Sequence, residues 1–159
     1  MADSGAWLDR ARQLVDYHRE ALDFINRVSG QFPVNDSHAG HLSRLWVEAD
    51  GLDQMVCSLL EDVNTHLIDG SGQVETTRGA AVRPSLLADE ALLFECAWSL
   101  TWGEGKAVSL ALAIDAATGI FEAQASGGSS GTTQAIRFPI LESALKDAFT
   151  EAYVAEATF

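Results

Sequence analysis

The sequence predicts an α+β fold: two N-terminal helices, the second one long, then a four- or five-stranded antiparallel meander, then a C-terminal helix packed on one sheet face. Three observations lead there. Bulky and small residues alternate strictly from Ala91 to Trp102, a long stripe of apolar residues repeats at helical spacing from Leu42 to Leu67, and a shorter stripe of the same kind runs from Leu8 to Ile25. At 159 residues the chain fits one domain large enough to bury a substantial core.

The first helix is expected over Trp7 to Val28. Leu8, Ala11, Leu14, Val15, Leu22 and Ile25 recur at three- and four-residue steps, and Gly30 supplies a stop. Asp3 or Ser4 is placed to cap its first turn. Tyr17 and Phe24, seven apart, fall on the side opposite that stripe, and His18 lies within it as an expected core histidine.

A loop from Gln31 to Gly40, broken by Pro33 and by Asn35-Asp36-Ser37, precedes the second helix. Leu42, Leu45, Ala49, Leu52, Val56, Leu60, Val63 and Leu67 keep one phase at about 100° per residue, unbroken through Gly51. One long helix from Ser37 to Ile68 is therefore expected. The competing arrangement ends a strand at Ala49 and turns at Asp50-Gly51. A glycine inside a helix costs about 1 kcal/mol, which eight aligned apolar residues outweigh.

After a turn at Asp69 to Gly72, Val74 to Val82 reads as an edge strand and Pro84 to Glu90 as a short helical turn. In the segment Ala91 to Trp102, Leu92, Phe94, Cys96, Trp98, Leu100 and Trp102 share one face. Gly103-Glu104-Gly105 closes a hairpin, and pairing Trp102 with Lys106 sets Leu100 against Val108, Trp98 against Leu110, Cys96 against Leu112 and Phe94 against Ile114. Slipping that register by one residue would turn every large side chain outward.

A second turn at Ala116 to Gly119 leads to a strand with Phe121, Ala123 and Ala125 on the core face. A Gly/Ser loop follows at Ser126 to Gly131, then a last strand from Thr133 to Phe138. Pro139 opens the final helix, with Leu141, Leu145, Ala148, Phe149 and Ala152 as its buried stripe. The sheet's other face, with Ala97, Ser99, Thr101, Ala107, Ser109, Ala111 and Ala113, is small and uncharged. Such a face takes another layer of the chain, contacts a second subunit or partner, or is merely exposed.

Charge then bounds function. The net charge is −13, and residues 36–72 hold seven acids against Arg44 alone. A surface without basic clusters does not suit nucleic acid or an anionic membrane. The N-terminal stretch carries charges where a signal peptide needs apolar residues, and Cys57 and Cys96 suit buried free thiols; a cytoplasmic location is expected.

The motifs that could carry chemistry are incomplete. Gly127-Gly128-Ser129-Ser130-Gly131 matches the G-x-S-x-G elbow, but a strand follows it and no histidine lies beyond His66. His38 and His41, near Asp36, lack a third metal ligand at usable spacing. Glu95 and Glu122 face the same side of neighbouring strands, a carboxylate pair that ordinary solvent exposure also explains. No catalytic, cofactor or metal site is therefore assigned.

The expected function is that of a small acidic cytoplasmic protein that neutralises a basic protein partner, as an immunity protein inhibits a toxin. Glu48, Asp50, Asp53, Glu61 and Asp62 would form one acidic surface, with Tyr17 and Phe24 as aromatic anchors. Two alternatives are a secretion chaperone or dimeric adaptor, and a ligand-binding domain or enzyme with a pocket between sheet and helices lined by Trp98 and Trp102.

Overall fold

A computed structural model describes residues 5–85 and 88–159. Helix α1 spans Ala6–Val28. A single 3₁₀ turn, Asp36–His38, leads into α2, Ala39–Leu67. Strands β1 (Gln73–Arg83), β2 (Ala91–Trp102), β3 (Lys106–Asp115), β4 (Phe121–Gly127) and β5 (Thr133–Ile136) follow, then α3, Glu142–Thr158. The strands form one antiparallel sheet in the order β1-β2-β3-β4-β5.

The central hairpin has the expected register: Trp102 opposite Lys106, Leu100 opposite Val108, Trp98 opposite Leu110, Cys96 opposite Leu112 and Phe94 opposite Ile114. The bulky face meets α2 and α3, and Trp98, Phe94, Leu100, Leu110, Leu112 and Ile114 are buried there with Leu42, Leu45, Leu60, Leu145 and Phe149. Each such side chain removed from water contributes roughly 1.5–3 kcal/mol before the entropic cost of ordering it.

Helix α2 runs unbroken through Gly51, with Leu42, Leu45, Ala49, Val56 and Leu60 buried along its stripe. Its start is built by Asn35, whose side chain accepts the Ser37 N–H at 2.9 Å while its own N–H donates to His38 Nδ1 at 3.2 Å. This reciprocal cap begins the helical chain inside the segment expected to be loop.

Helix α1 buries a face rotated from its expected stripe, keeping Ile25 and half-buried Leu22 of that stripe and adding Ala21 and Phe24. Ala21, Phe24 and Ile25 are buried, whereas Leu8, Ala11, Leu14 and Val15 are exposed, as is His18. The buried face is set by the packing around Phe24. Its ring meets Trp46 and Phe94 edge-on, at 5.8 and 6.3 Å between ring centroids. The N-terminal part of the stripe faces water, and Trp7 remains 66% exposed.

The closing segment also begins later than expected. β5 ends at Ile136, and α3 starts at Glu142 because Leu141 is still extended (φ −100°, ψ 146°) and exposed. Residues 137–141 carry the chain from the sheet edge to its bulky face. Leu145, Ala148, Phe149 and Ala152 then bury as expected, joined by Glu156. The helical turn expected over Pro84 to Glu90 is absent at its described residues: Pro84, Ser85 and Ala88 to Glu90 are not helical, and Ser85 N–H donates to Ala88 O at 2.9 Å, the reverse of a helical bond; residues 86 and 87, like the Asp3 or Ser4 cap, lie outside the described residues. Among the described residues no helix covers the small-residue face of the sheet. Ala91, Leu93 and Ala113 form a small separate apolar cluster.

Candidate functional site

The five acids do not make one surface. At about 100° per residue, Asp50, Asp53 and Glu61 fall on one flank of the α2 stripe, and Glu48 and Asp62 on the other. Two of them are occupied by the fold itself. Asp50 accepts the Tyr17 hydroxyl at 2.5 Å and Arg78 Nη2 at 2.9 Å, while the Arg78 guanidinium lies over the Trp46 ring at 4.9 Å. That chain ties α1, α2 and β1 together, and the hydrogen bond to Asp50, more than burial, raises the Tyr17 pKa.

Asp53 accepts the indole N–H of Trp98 at 2.9 Å and faces the Cys57 thiol at 3.6 Å. A fully buried indole needs such an acceptor, so Asp53, itself exposed, is tied to the core through Trp98. Glu48, Glu61 and Asp62 are exposed, Glu48 beside a cleft that it shares with Arg10 and Arg44. Of the two expected aromatic anchors, Tyr17 is half-buried against Asp50. Phe24 is 8% exposed and packed into the core, so it is no surface anchor.

The G-x-S-x-G segment has a structural use that its sequence does not disclose. Gly127 closes β4, and the loop after it turns its N–H groups onto the carboxylate of Glu156, which has no exposed surface. That carboxylate accepts the N–H of Ala107 at 2.8 Å, of Ser129 at 2.8 Å and of Ser130 at 2.7 Å, and the Ser129 hydroxyl at 3.2 Å. Lys106 Nζ bonds the Glu156 carbonyl. Burial alone would push this acid upward. The N–H of Ala107 and the N–H and hydroxyl groups of Ser130 and Ser129 outweigh it and hold the pKa at about 2. The arrangement is an anion nest filled from within.

The remaining candidates are likewise drawn into the scaffold. His38 caps the turn before α2 and lies edge-on to Phe94, and His41 Nδ1 sits 2.9 Å from Ala116 O, its ring against Gly119. They are half-buried tethers rather than solvated histidines. Among the described residues no three His, Cys, Asp or Glu side chains converge on a possible metal position. Glu95 and Glu122 share one cation: Arg83 Nη2 is 2.5 Å from Glu95 and Nη1 is 3.2 Å from Glu122. Cys57 is half-buried, and burial pushes the Cys96 thiol to about 11.

The expected pocket between sheet and helices is filled, since Trp98 is buried and Trp102 stacks on Tyr153 at 6.0 Å. The open concavities lie at the surface. A groove of about 570 Å³ is lined by Glu20, Asp23, Phe24, Arg27, Trp46 and Arg78. Another of about 350 Å³ opens beside Arg83 and Glu122 on the sheet's outer side. No helix among the described residues is long and apolar enough to cross a membrane. Compared with protein-family models, with characterised proteins and with solved structures, the chain has no match.

Proposed function

We propose that this chain is a small acidic binding protein of the cytoplasm that captures a basic protein partner, in the manner of an immunity protein blocking a toxin. One observation carries the reading: between Arg44 and Arg78 there is no Lys or Arg, while Glu48, Asp50, Asp53, Glu61, Asp62, Asp69 and Glu75 all fall there. With Asp50 and Asp53 bound to Arg78, Tyr17 and Trp98, the acids left to face a partner are Glu61 and Asp62, then Asp69 and Glu48. A one-signed segment of this kind accelerates encounter with an oppositely charged protein. The sheet face that no helix among the described residues covers, and the β1 edge, favour a second reading, a dimeric adaptor or secretion chaperone.

The test uses the full chain and the variant Glu48→Lys/Glu61→Lys/Asp62→Lys. Proteins copurifying from the native host are identified by mass spectrometry, and the captured protein is purified for binding kinetics at several salt concentrations. Capture of a basic protein, with an association rate that falls with salt and drops about tenfold or more in the variant, supports the proposal. Capture unchanged by the reversal removes it.

A further inference from the structure

The two edges of the sheet are built differently. β5 offers four residues before the chain leaves for Pro139, whereas β1 offers eleven. β1 pairs one-to-one with β2 from Gln73–Thr101 to Arg83–Ala91, without a bulge, and it contains neither proline nor lysine. Long, bulge-free edges of this kind are the ones proteins normally shield, because their free N–H and C=O groups template another strand.

The direction of those free groups follows from bonds further inside. Asp115 N–H donates to Ile120 O and Gly128 N–H to Ala107 O, so odd-numbered residues of β3 bond to β4. Ala116 N–H donates to Leu92 O, so even-numbered residues bond to β2. Alternation along antiparallel strands then assigns the odd residues of β2 and of β1 to each other. Val74, Thr76, Arg78, Ala80 and Val82 are left with N–H and C=O turned away from the sheet.

We infer that β1 is a dimerisation edge, pairing antiparallel with β1 of a second copy about a two-fold axis at Gly79. That register matches outward groups with outward groups, setting Arg78 opposite Ala80 and Thr76 opposite Val82 of the second copy. On the outer side it sets Glu75 opposite Arg83 twice, since both lie four residues from the axis. Arg83 holds Glu95 and Glu122 with 37% of its side chain still exposed. An axis at Arg78 would instead face arginine with arginine. At Gly79 itself nothing lies within 4 Å of where a Cβ would stand, which leaves the axis open.

Charge selects a second copy over a cationic partner at this place. Two chains of −13 repel across most of their surfaces, but β1 sets Glu75 against Arg78 and Arg83. The adjoining groove balances Glu20 and Asp23 with Arg27 and Arg78. The edge is close to neutral where the molecule is otherwise acidic, and the inference stands apart from the acidic-surface proposal, which uses α2.

Light scattering and sedimentation of the full chain, up to hundreds of micromolar, should give a dimer. Gly79→Cys should cross-link to itself under mild oxidation, because a non-hydrogen-bonded pair brings Cα atoms to about 4.5 Å; peptide mapping separates this bridge from Cys57 or Cys96. Thr133→Cys on the opposite edge should not cross-link. Thr76→Pro removes an outward N–H without touching the β1–β2 ladder, and should leave a folded monomer. Glu75→Arg, on the exposed outer side, should weaken the dimer about tenfold. A monomer at every concentration, a dimer in which Gly79→Cys fails to cross-link, or a dimer unaffected by both Thr76→Pro and Glu75→Arg would each overturn the inference.

Discussion

Replacing Glu156 by glutamine tests the internal anion nest directly. In the folded protein its pKa is lowered from 4.5 to about 2, and a difference of about 2.5 units corresponds to roughly 3 kcal/mol of folding free energy once the acid is ionised in both states. A depressed carboxylate stabilises the fold fully above its unfolded pKa and loses that contribution as pH falls through the folded value. The loss therefore develops between about pH 4.5 and 2, and at pH 3 less than half of the effect, about 1.4 kcal/mol, remains. Glutamine fills the same volume, but its amide brings N–H donors against the N–H groups of Ala107, Ser129 and Ser130. Urea unfolding of wild type and Glu156→Gln, followed by circular dichroism at pH 7 and pH 3, measures both numbers. A stability difference near 3 kcal/mol at pH 7 that shrinks towards pH 3 is expected. A difference under 1 kcal/mol at pH 7, or a larger one that does not change with pH, refutes the electrostatic account of this contact.

Three further outcomes follow from contacts already described. Phe24→Ala should lose about 3–5 kcal/mol in urea unfolding, while Leu14→Ala on the exposed part of α1 stays within about 0.5 kcal/mol; equal losses would contradict the assignment of the buried face of α1. Asp53→Ala leaves the buried Trp98 indole without its acceptor and should cost about 1–3 kcal/mol, with an altered tryptophan emission as a second readout. In native protein Cys96 should resist thiol reagents until the chain unfolds, because it is buried and its pKa lies at about 11; labelling of Cys96 at a rate typical of exposed thiols would contradict its place in the core.

The sheet was legible because its signal is local. Alternation from Leu92 to Trp102 opposite Val108 to Ile114 fixes face and register at once, and a one-residue slip would have exposed Phe94 and Trp98 together. The phase of α2 likewise survived Gly51. The bounds of α1 were legible as well, Trp7 to Val28 expected against Ala6–Val28, but not its buried face, because periodicity reports which residues can share a face, not which neighbours meet it. Leu8, Leu14 and Val15 keep the period yet stay exposed, and Phe24 turns inward to meet Trp46 and Phe94. The acids of α2 showed the same limit. Their charge was plain in the sequence, but Trp98 as the donor to Asp53, and Arg78 and Tyr17 as donors to Asp50, are tertiary facts. The Gly/Ser loop advertised free N–H groups, while the carboxylate they serve lies 26 to 27 residues further on.

That last separation bears on the order of assembly. Every strand of the meander pairs with the one before it in the chain, so each addition closes only a short loop, and short closures are rapid. The clasp between Ala107 and Glu156 spans 49 residues and can form only when the intervening hairpins have already brought Ser129 and Ser130 to the same spot. Docking of the terminal helix is thereby placed late, as the step that locks a sheet already zipped, and acid should loosen that lock before it disturbs the strands.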